Sequence, residues 1–240
     1  MVLKALSETA QIVLIEQAVQ LALEAFNRKH ADALSANMMK LEAERLNILL
    51  DAWLQLELSR EVDFTVLTCE QEEMVEIEGI SVKLSIDRID ILADKSKVII
   101  DYKTGSLPKL KTWAEDRIKE PQLPIYATIA LKYDAISAVA FAHVKLDGEG
   151  FSGLASTDNI LPKVLAIGHE KLKAFADLVT WDALLEHWHT QINAIAFEIK
   201  TGVANVTFDD EKDLTYCEVL PLLRLPERAL QFERLKVDAT

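Results

Sequence analysis

The sequence predicts a mixed α/β protein in which a β-sheet is flanked by helices, and three patterns lead to this prediction. Residues 1–60 carry apolar side chains at steps of three and four, which is the period of an amphipathic helix. From Glu61 to Lys103, β-branched and aromatic residues recur at steps of two, which is the period of a strand. Beyond Lys103, helical and strand patterns alternate, so helices and strands are expected to pack around a common core.

Two helices are expected before the strands. The first runs from about Ser7 to Phe26, and the second runs from about Asp32 to Leu58, with Asp32 placed to cap its first turn. The apolar faces of both are typical of helices that cover a core. Residues 1–60 are therefore expected to form an N-terminal helical segment packed on a domain that spans 61–240.

Turn residues divide the strand pattern into a meander of about three or four strands. Gly79 interrupts the first run, residues 93–96 end the next, and Val98–Lys103 forms the last. In the second run the apolar positions change phase after Asp87, which predicts a bulge or bend near Arg88.

The remaining elements follow from the same periodicities. A helix is expected over Pro121–Leu131, and strands are expected over Ile136–Val144 and Phe151–Ala155. Another helix is expected to start near Pro162, because proline suits the first helical position. The last clear helix runs from a cap at Thr180 to Gly202.

Composition limits the classes of function. The chain of 240 residues has 26 Lys and Arg against 39 Asp and Glu, a formal net charge of −13. This balance argues against a broad basic surface for duplex DNA, so any nucleic acid must be bound locally. The sequence contains neither an apolar run long enough to span a membrane nor a signal-peptide pattern, which predicts a cytoplasmic protein without membrane contact. The two cysteines, Cys69 and Cys217, give no disulfide framework or complete metal-binding cluster.

Ionisable side chains lie inside two segments whose apolar pattern predicts burial, 86–90 and 100–103. Buried carboxylates are usually paired, hydrogen-bonded or bound to metal. Asp101 and Lys103 share one face of a strand, and Asp87 is expected on the face opposite its apolar neighbours. If the two strands are adjacent, Asp87 and Asp101 converge on a hard cation with Lys103 beside it, a group that can hydrolyse a phosphodiester. By spacing alone, a surface hairpin with solvated ion pairs explains these residues equally well.

Three motifs together resemble the RecB-like branch of the PD-(D/E)XK nucleases. They are Ser-Ile-Asp-Arg-Ile-Asp at 85–90, Ile-Ile-Asp-Tyr-Lys-Thr-Gly at 99–105 and Pro-Gln-Leu-Pro-Ile-Tyr-Ala at 121–127, in matching order and spacing. The resemblance implies a restriction-endonuclease-like fold, a mixed central β-sheet flanked by helices, here with extra N-terminal and C-terminal helices. It also implies hydrolysis of DNA phosphodiester bonds with Mg²⁺ or Mn²⁺, in DNA repair or recombination, by a domain that works with a helicase or another repair protein.

The resemblance also assigns roles to residues. Asp87 and Asp101 are implied to be metal ligands, and Lys103 is implied to be catalytic. Gln122 and Tyr126 fall on the family's Gln-x-x-x-Tyr motif, and their spacing places them on one face of a helix. They are implied to line the site and to position the substrate or the lysine. Taken alone, they would be read as a helix-capping Gln and a core Tyr.

The chain departs from the family's pattern at an upstream metal ligand. Members usually supply a histidine from a helix before the strands, but His30, the sole upstream histidine, lies in the expected turn between two helices. The missing ligand predicts that the chain is a fragment of a longer protein. Glu70 occupies a position where relatives often carry a strand glutamate, and it either supports the site or is simply exposed. Four later histidines are expected to be structural: His143, His169, His187 and His189.

A second departure concerns iron and sulfur. Some relatives hold an iron–sulfur cluster with a C-terminal Cys-x2-Cys-x5-Cys motif. The segment Leu214–Arg224 resembles that region, but Cys217 is its only cysteine, and Leu214 and Leu223 occupy the other two positions. One thiol cannot hold a cluster, so no iron–sulfur cluster is predicted.

Two other classes of function remain open. A catalytically incomplete domain of the same fold would bind DNA or act as a scaffold without cleaving it. A helical adaptor with an incidental sheet would place Asp87 and Asp101 far apart.

Overall fold

The computed structural model describes residues 5–30, 33–146, 148–203, 205, 208, 214–215 and 217–238, without the side chains of 232–238. The chain divides into two compact units, Met1–Phe197 and Glu198–Thr240. The first unit holds the sheet and all of the predicted site residues. The boundary predicted near residue 60 stays a prediction.

Two long helices precede the sheet, as predicted. Helix α1 spans Glu8–Lys29, and helix α2 spans Ala36–Leu58. Each begins after a serine, Ser7 or Ser35, whose hydroxyl accepts a hydrogen bond from the backbone N–H three residues further on, at 3.3 and 3.4 Å. Asp32, the predicted cap of the second helix, lies outside the described residues.

In the described part of the chain, six strands form one mixed sheet in which the order along the chain is also the order in space. The strands are β1 (Phe64–Ile77), β2 (Ile80–Leu92), β3 (Lys97–Lys103), β4 (Ile136–His143), β5 (Gly150–Ala155) and β6 (Leu165–Ala166). The pairs β3–β4 and β5–β6 are parallel, and the other neighbours are antiparallel. The predicted α/β class with a mixed central sheet is therefore confirmed.

A tight turn joins β1 to β2. Ile77 pairs with Ile80, so the loop has two residues, Glu78 and Gly79, with φ angles of 51° and 82°. Two consecutive residues with positive φ form the type I′ turn, whose twist matches that of paired strands. This geometry explains why Gly79 interrupts the strand pattern.

The predicted phase change in β2 is present, but the bulge lies on the neighbouring strand. Ile86 and Ile89 are both buried in the same core, so the alternation does change between them. The extra residue is Leu67 on β1, where the register shifts between Val66 and Thr68. β1 is an edge strand, where an unpaired residue disturbs the ladder on one side only.

Two cores cover the two faces of the sheet, because successive residues of β4 belong alternately to one and the other. The first core takes side chains from the segment 110–131 and from the helix that follows the sheet, and it includes Ile86, Ile99, Trp113, Leu123, Val139, Phe141 and Trp188. The second takes its helix side chains from α2, and it includes Trp53, Val98, Ile100, Ala140 and Phe151. The sheet is thus covered by helices on both faces.

Helical segments connect β3 to β4. A 3₁₀-helix spans Leu110–Ala114, and helix α3 spans Gln122–Ile125 and continues as a π-helix over Tyr126–Ala130. The helix predicted over Pro121–Leu131 is confirmed. Pro124 is tolerated because it lies in the first turn, where its missing N–H would have no partner in the helix.

The helix predicted near Pro162 is wrong. Strand β6 begins three residues later and pairs with Leu154 and Ala155 of β5. Lys163 and Gly168 have φ angles of 65° and 85°, a left-handed backbone that cannot continue a right-handed helix. A 3₁₀-helix at Lys173–Phe175 follows.

The helix predicted after Thr180 is confirmed. Helix α4 spans Trp181–Thr201, and the Thr180 hydroxyl accepts a hydrogen bond from Ala183 N at 3.2 Å. In the second unit, α5 spans Leu220–Leu223 and α6 spans Leu225–Asp238. Within the described part of the chain, no helix is long and apolar enough to cross a membrane.

Candidate active site

Strands β2 and β3 separate at Asp87. Their pairing runs from Ile91 opposite Lys97 to Arg88 opposite Ile100 and ends there. Beyond this point, Oδ2 of Asp87 accepts a hydrogen bond from the backbone N–H of Tyr102 at 2.8 Å. The Asp87 carboxylate therefore takes the place that a backbone carbonyl of β2 would occupy if the pairing with β3 continued.

This position differs from the one expected from periodicity. A strand N–H points in the plane of the sheet, toward the neighbouring strand. The carboxylate oxygen of Asp87 that accepts from this N–H therefore lies near the plane of the sheet. The pleat alternation that predicted the opposite face fails here because the phase of β2 changes at this residue.

Asp101 and Lys103 share one face of β3, as predicted. Oδ2 of Asp101 lies 2.7 Å from Nζ of Lys103, and the Asp101 side chain is 4% exposed. Asp101 is paired with Phe141 of β4, and Nζ of Lys103 lies 5.6 Å from the centre of the Phe141 ring. The pair belongs to the face that carries the first core.

Burial and nearby charges act on the protonation of this ion pair. Burial raises the pKa of Asp101, the Lys103 ammonium opposes this, and the charges of Asp87 and Glu120 add to the rise. For Lys103, burial acts to lower the pKa, but the ion pair with Asp101 and the charges of Glu120 and Asp87 outweigh it, so the net shift is upward. Lys103 is therefore a cation at neutral pH.

Gln122 and Tyr126 are brought to β2, next to Asp87. Nε2 of Gln122 donates to the Ser85 carbonyl at 3.3 Å and to the Tyr126 hydroxyl at 2.7 Å, and that hydroxyl also donates to the Ser85 carbonyl. The π-helix begins at Tyr126, whose carbonyl accepts from Leu131 N at 3.0 Å, and such turns occur frequently at functional sites. These two side chains hold the backbone of β2 two residues before Asp87.

A buried charge network lies on the opposite face of the sheet, and the sequence reasoning missed it. Arg88 donates to Glu57 at 2.6 Å and to Asp90 at 2.7 Å, and Arg60 donates to Asp90 at 2.6 Å. Arg88 also donates to the Tyr102 hydroxyl at 3.0 Å. The network joins α2, β2 and β3 directly behind the site. The sequence signal for it is a glutamate inside the apolar pattern of a helix.

The carboxylates of this network keep the buried Arg88 positively charged. Burial acts to lower the pKa of Arg88, but hydrogen bonds and charges from Asp90 and Glu57 outweigh it, and the net shift is upward. All four charged residues of the network are buried, and the charges of the two arginines are neutralised by those of the two carboxylates.

Three further residues singled out in the sequence lie on β1, α1 and β4, and the register of β1 and β2 places Glu70 opposite Asp87. Glu70 is exposed on β1 with a φ angle of 53°, and the ring of His30 packs on Phe26 at the end of α1. His143 contacts the Gly105 carbonyl at 2.8 Å. Among the residues that the structure describes, no group of three or more His, Cys, Asp or Glu side chains is arranged to hold a metal ion.

The site can be compared with known proteins. A search of curated proteins found no match. The solved structure described as "Crystal structure of SSO0001" is 11% identical, with 84% of this chain and 94% of that chain covered, and a TM-score of 0.32, which is too low to support an argument. A sequence profile of the PD-(D/E)XK nuclease superfamily matches residues 2–221. Because this match spans nearly the whole chain, which also folds as a mixed sheet flanked by helices, the chain belongs to the PD-(D/E)XK nuclease superfamily.

Proposed function

We propose that this chain is a metal-dependent deoxyribonuclease of the RecB-like branch, which hydrolyses DNA phosphodiester bonds in repair or recombination. Asp87 and Asp101 bind Mg²⁺ or Mn²⁺, and Lys103 is the catalytic cation. The observation that carries the proposal is the ion pair of Asp101 and Lys103, 2.7 Å apart, at the point where β2 and β3 separate beside Asp87.

The residues present fit a hard divalent cation. Oδ2 of Asp101 is buried and makes no well-directed hydrogen bond within the described part of the chain, although Lys103 lies close. Burial disfavours the charged form of this carboxylate, and a divalent cation would favour it. The Tyr102 N–H fixes the orientation of the Asp87 carboxylate. When bound, the ion supplies polarisation of the phosphoryl oxygen and a more acidic water.

Lys103 has the charge that the reaction requires. Its upward pKa shift keeps the ammonium protonated at neutral pH, so it can stabilise negative charge that develops on the phosphoryl group. It therefore acts as an electrostatic group in the proposed reaction.

Exposed lysines follow the two strands that end at the proposed site. Strands β3 and β4 are parallel and end side by side, where Val144 N donates to the Lys103 carbonyl at 2.9 Å. Lys109 and Lys111 follow β3, Lys145 follows β4, and all three side chains are exposed. We propose that these exposed lysines contact a DNA backbone in spite of the net charge of −13.

The proposal extends to partners by the resemblance of the three motifs. The RecB-like sequences at 85–90, 99–105 and 121–127 support a role beside a helicase or another repair-protein domain or subunit. DNA is the proposed substrate.

The test is cleavage of end-labelled single-stranded and duplex DNA with Mg²⁺ or Mn²⁺. Asp101→Asn and Lys103→Ala are expected to lower the cleavage rate by at least about 100-fold, because each removes a charge at the reacting group. Glu16→Gln, at an exposed position of α1, is the control for loss of a carboxylate and should cleave like the wild type. Cleavage at the wild-type rate by either site variant would reject the assignment.

A second candidate function is a DNA-binding or scaffold module that does not cleave. It is favoured by one observation, the lack of a third carboxylate or histidine ligand within the described residues. Calorimetric titration with Mn²⁺ separates the two. Binding of Mn²⁺ and DNA by the wild type without any cleavage would support the module.

A further inference from the structure

The end of β3 has a strand partner on one side only. Pairing with β2 stops at Ile100, whereas pairing with β4 continues through Asp101 opposite Phe141 to Lys103 opposite His143. On the β2 side, the contact that replaces the ladder is the side chain of Asp87. The backbone position of Lys103 is therefore determined mainly by β4.

His143 extends this support beyond the last residue of β3. Register partners in parallel strands point to the same face, so the imidazole lies on the face that carries Lys103. Its Nε2 lies 2.8 Å from the Gly105 carbonyl oxygen, which can only accept, so Nε2 carries the proton and donates. The bond therefore fixes the turn two residues after the catalytic cation.

We infer that His143 is a positioning residue for the proposed cleavage, because it holds the turn at Thr104 and Gly105 and thereby orients Lys103. The inference rests on the proposed function. Lys103 is the last residue of β3, so movement of this turn transmits directly to it. Displacement of a catalytic group by about 1 Å can lower a rate by up to about 100-fold. The inference adds an effect on Lys103 to the structural role expected for His143 from the sequence.

The contact is made to a backbone atom, which allows a clean control. A Cβ built at Gly105 would meet no atom within 4 Å, and its φ is not in the left-handed region. Gly105→Ala therefore keeps the carbonyl that accepts from His143. It should leave the hydrogen exchange of the amides in residues 101–107 unchanged, because the contact with His143 is kept.

The test compares three substitutions at His143. The amide nitrogen of glutamine reaches as far from the backbone as Nε2, whereas that of asparagine reaches only as far as Nδ1. His143→Ala and His143→Asn are expected to lower kcat on the order of tenfold or more, with Mn²⁺ affinity and KM for DNA unchanged. His143→Gln is expected to restore kcat, and His189→Ala, on the exposed side of α4, is the control for loss of a histidine.

Three outcomes would overturn the inference. They are an unchanged kcat in His143→Ala, a kcat in His143→Gln as low as in His143→Ala, and a rise in KM without a change in kcat. The second would mean that the ring itself is required, and the third would mean contact with the substrate.

A second readout does not depend on cleavage. Hydrogen exchange of the amides in residues 101–107 should accelerate in His143→Ala and return to the wild-type rate in His143→Gln. If the wild type does not cleave DNA, the proposed function fails, while exchange still decides whether His143 holds the turn. Equal exchange in His143→Ala and wild type would reject the inference whatever the activity.

Discussion

Arg88 of β2 donates a hydrogen bond to the Tyr102 hydroxyl of β3 at 3.0 Å, on the face of the sheet opposite Lys103. The same guanidinium donates to Glu57 of α2, 31 residues earlier in the chain, at 2.6 Å. One buried arginine thus connects the two strands that carry the proposed metal ligands, on the face of the sheet opposite the proposed site. Burial of such charges is costly, so their pairing specifies how α2, β2 and β3 meet.

The buried network predicts a strong effect of one uncharged substitution. Glu57→Gln leaves Arg88 and Arg60 buried with one carboxylate fewer, because both arginines contact Glu57. We expect the free energy of unfolding to fall by about 3 kcal/mol. Urea unfolding followed by circular dichroism measures this change.

The matched control is an exposed pair of the same type. Glu42 and Arg45 lie on α2 with a hydrogen bond of 2.8 Å, and both side chains are well exposed. Glu42→Gln should therefore cost less than about 1 kcal/mol. Equal losses in Glu57→Gln and Glu42→Gln would show that the buried network stabilises the fold no more than a surface pair.

The two functions of the Asp87 side chain can be separated. Asp87→Asn keeps an oxygen that can accept from Tyr102 N but removes the negative charge, whereas Asp87→Ala removes both. We expect Asn to retain the stability of the wild type and Ala to lose about 1 kcal/mol. Both variants should lose Mn²⁺ binding and cleavage. Thermal unfolding and Mn²⁺ calorimetry of the two variants test this, and Mn²⁺ affinity equal to that of the wild type in Asp87→Ala would remove Asp87 from the metal site.

Local patterns were sufficient for most of the fold. The long helices and the strands follow from periods of 3.6 and 2, and the shared face of Asp101 and Lys103 follows from the same period of 2. The helix predicted near Pro162 failed because a strand pairing with β5 and two left-handed residues, Lys163 and Gly168, decide that segment. Such pairing is not encoded in the local sequence.

The motifs supplied the candidate residues of the site but not their geometry. The motifs identified Asp87, yet its in-plane orientation depends on where β3 ends its pairing with β2. Glu57 was missed because its importance arises from Arg88, which is 31 residues away. Contacts between distant segments require the register of the sheet, which periodicity alone does not provide.

Removal of the Tyr126 hydroxyl is expected to change kcat and not KM. It donates to the Ser85 carbonyl of β2 and is buried, so its effect on cleavage passes through the position of Asp87. We expect Tyr126→Phe to lower kcat by about tenfold with the KM for DNA unchanged. Tyr133→Phe, at a residue that is 91% exposed, is the control. A raised KM with an unchanged kcat would instead indicate that Tyr126 contacts the substrate.

The raised pKa of Tyr126 is expected to make the free energy of unfolding depend on pH in the alkaline range. Burial raises the pKa of Tyr126 above its ordinary value of 10.0, and the charges of Asp101 and Asp87 add to this, while the bonds to Gln122 and Ser85 oppose it. The folded state therefore favours the neutral hydroxyl. Its contribution to stability is complete below the unfolded-state pKa near 10.0 and is lost as the pH rises through the higher folded-state pKa.

The measurement compares the free energy of unfolding of wild type and Tyr126→Phe across this range. Phenylalanine does not ionise, so the advantage of the wild type should be constant up to a pH near 10.0 and should shrink above it. Burial raises the pKa of Tyr102 as well as that of Tyr126, so the absorbance of tyrosinate should show late transitions from both in the wild type and lose the Tyr126 transition in the variant. An advantage that stays constant well above this pH would mean that Tyr126 ionises in the folded state as easily as in the unfolded state.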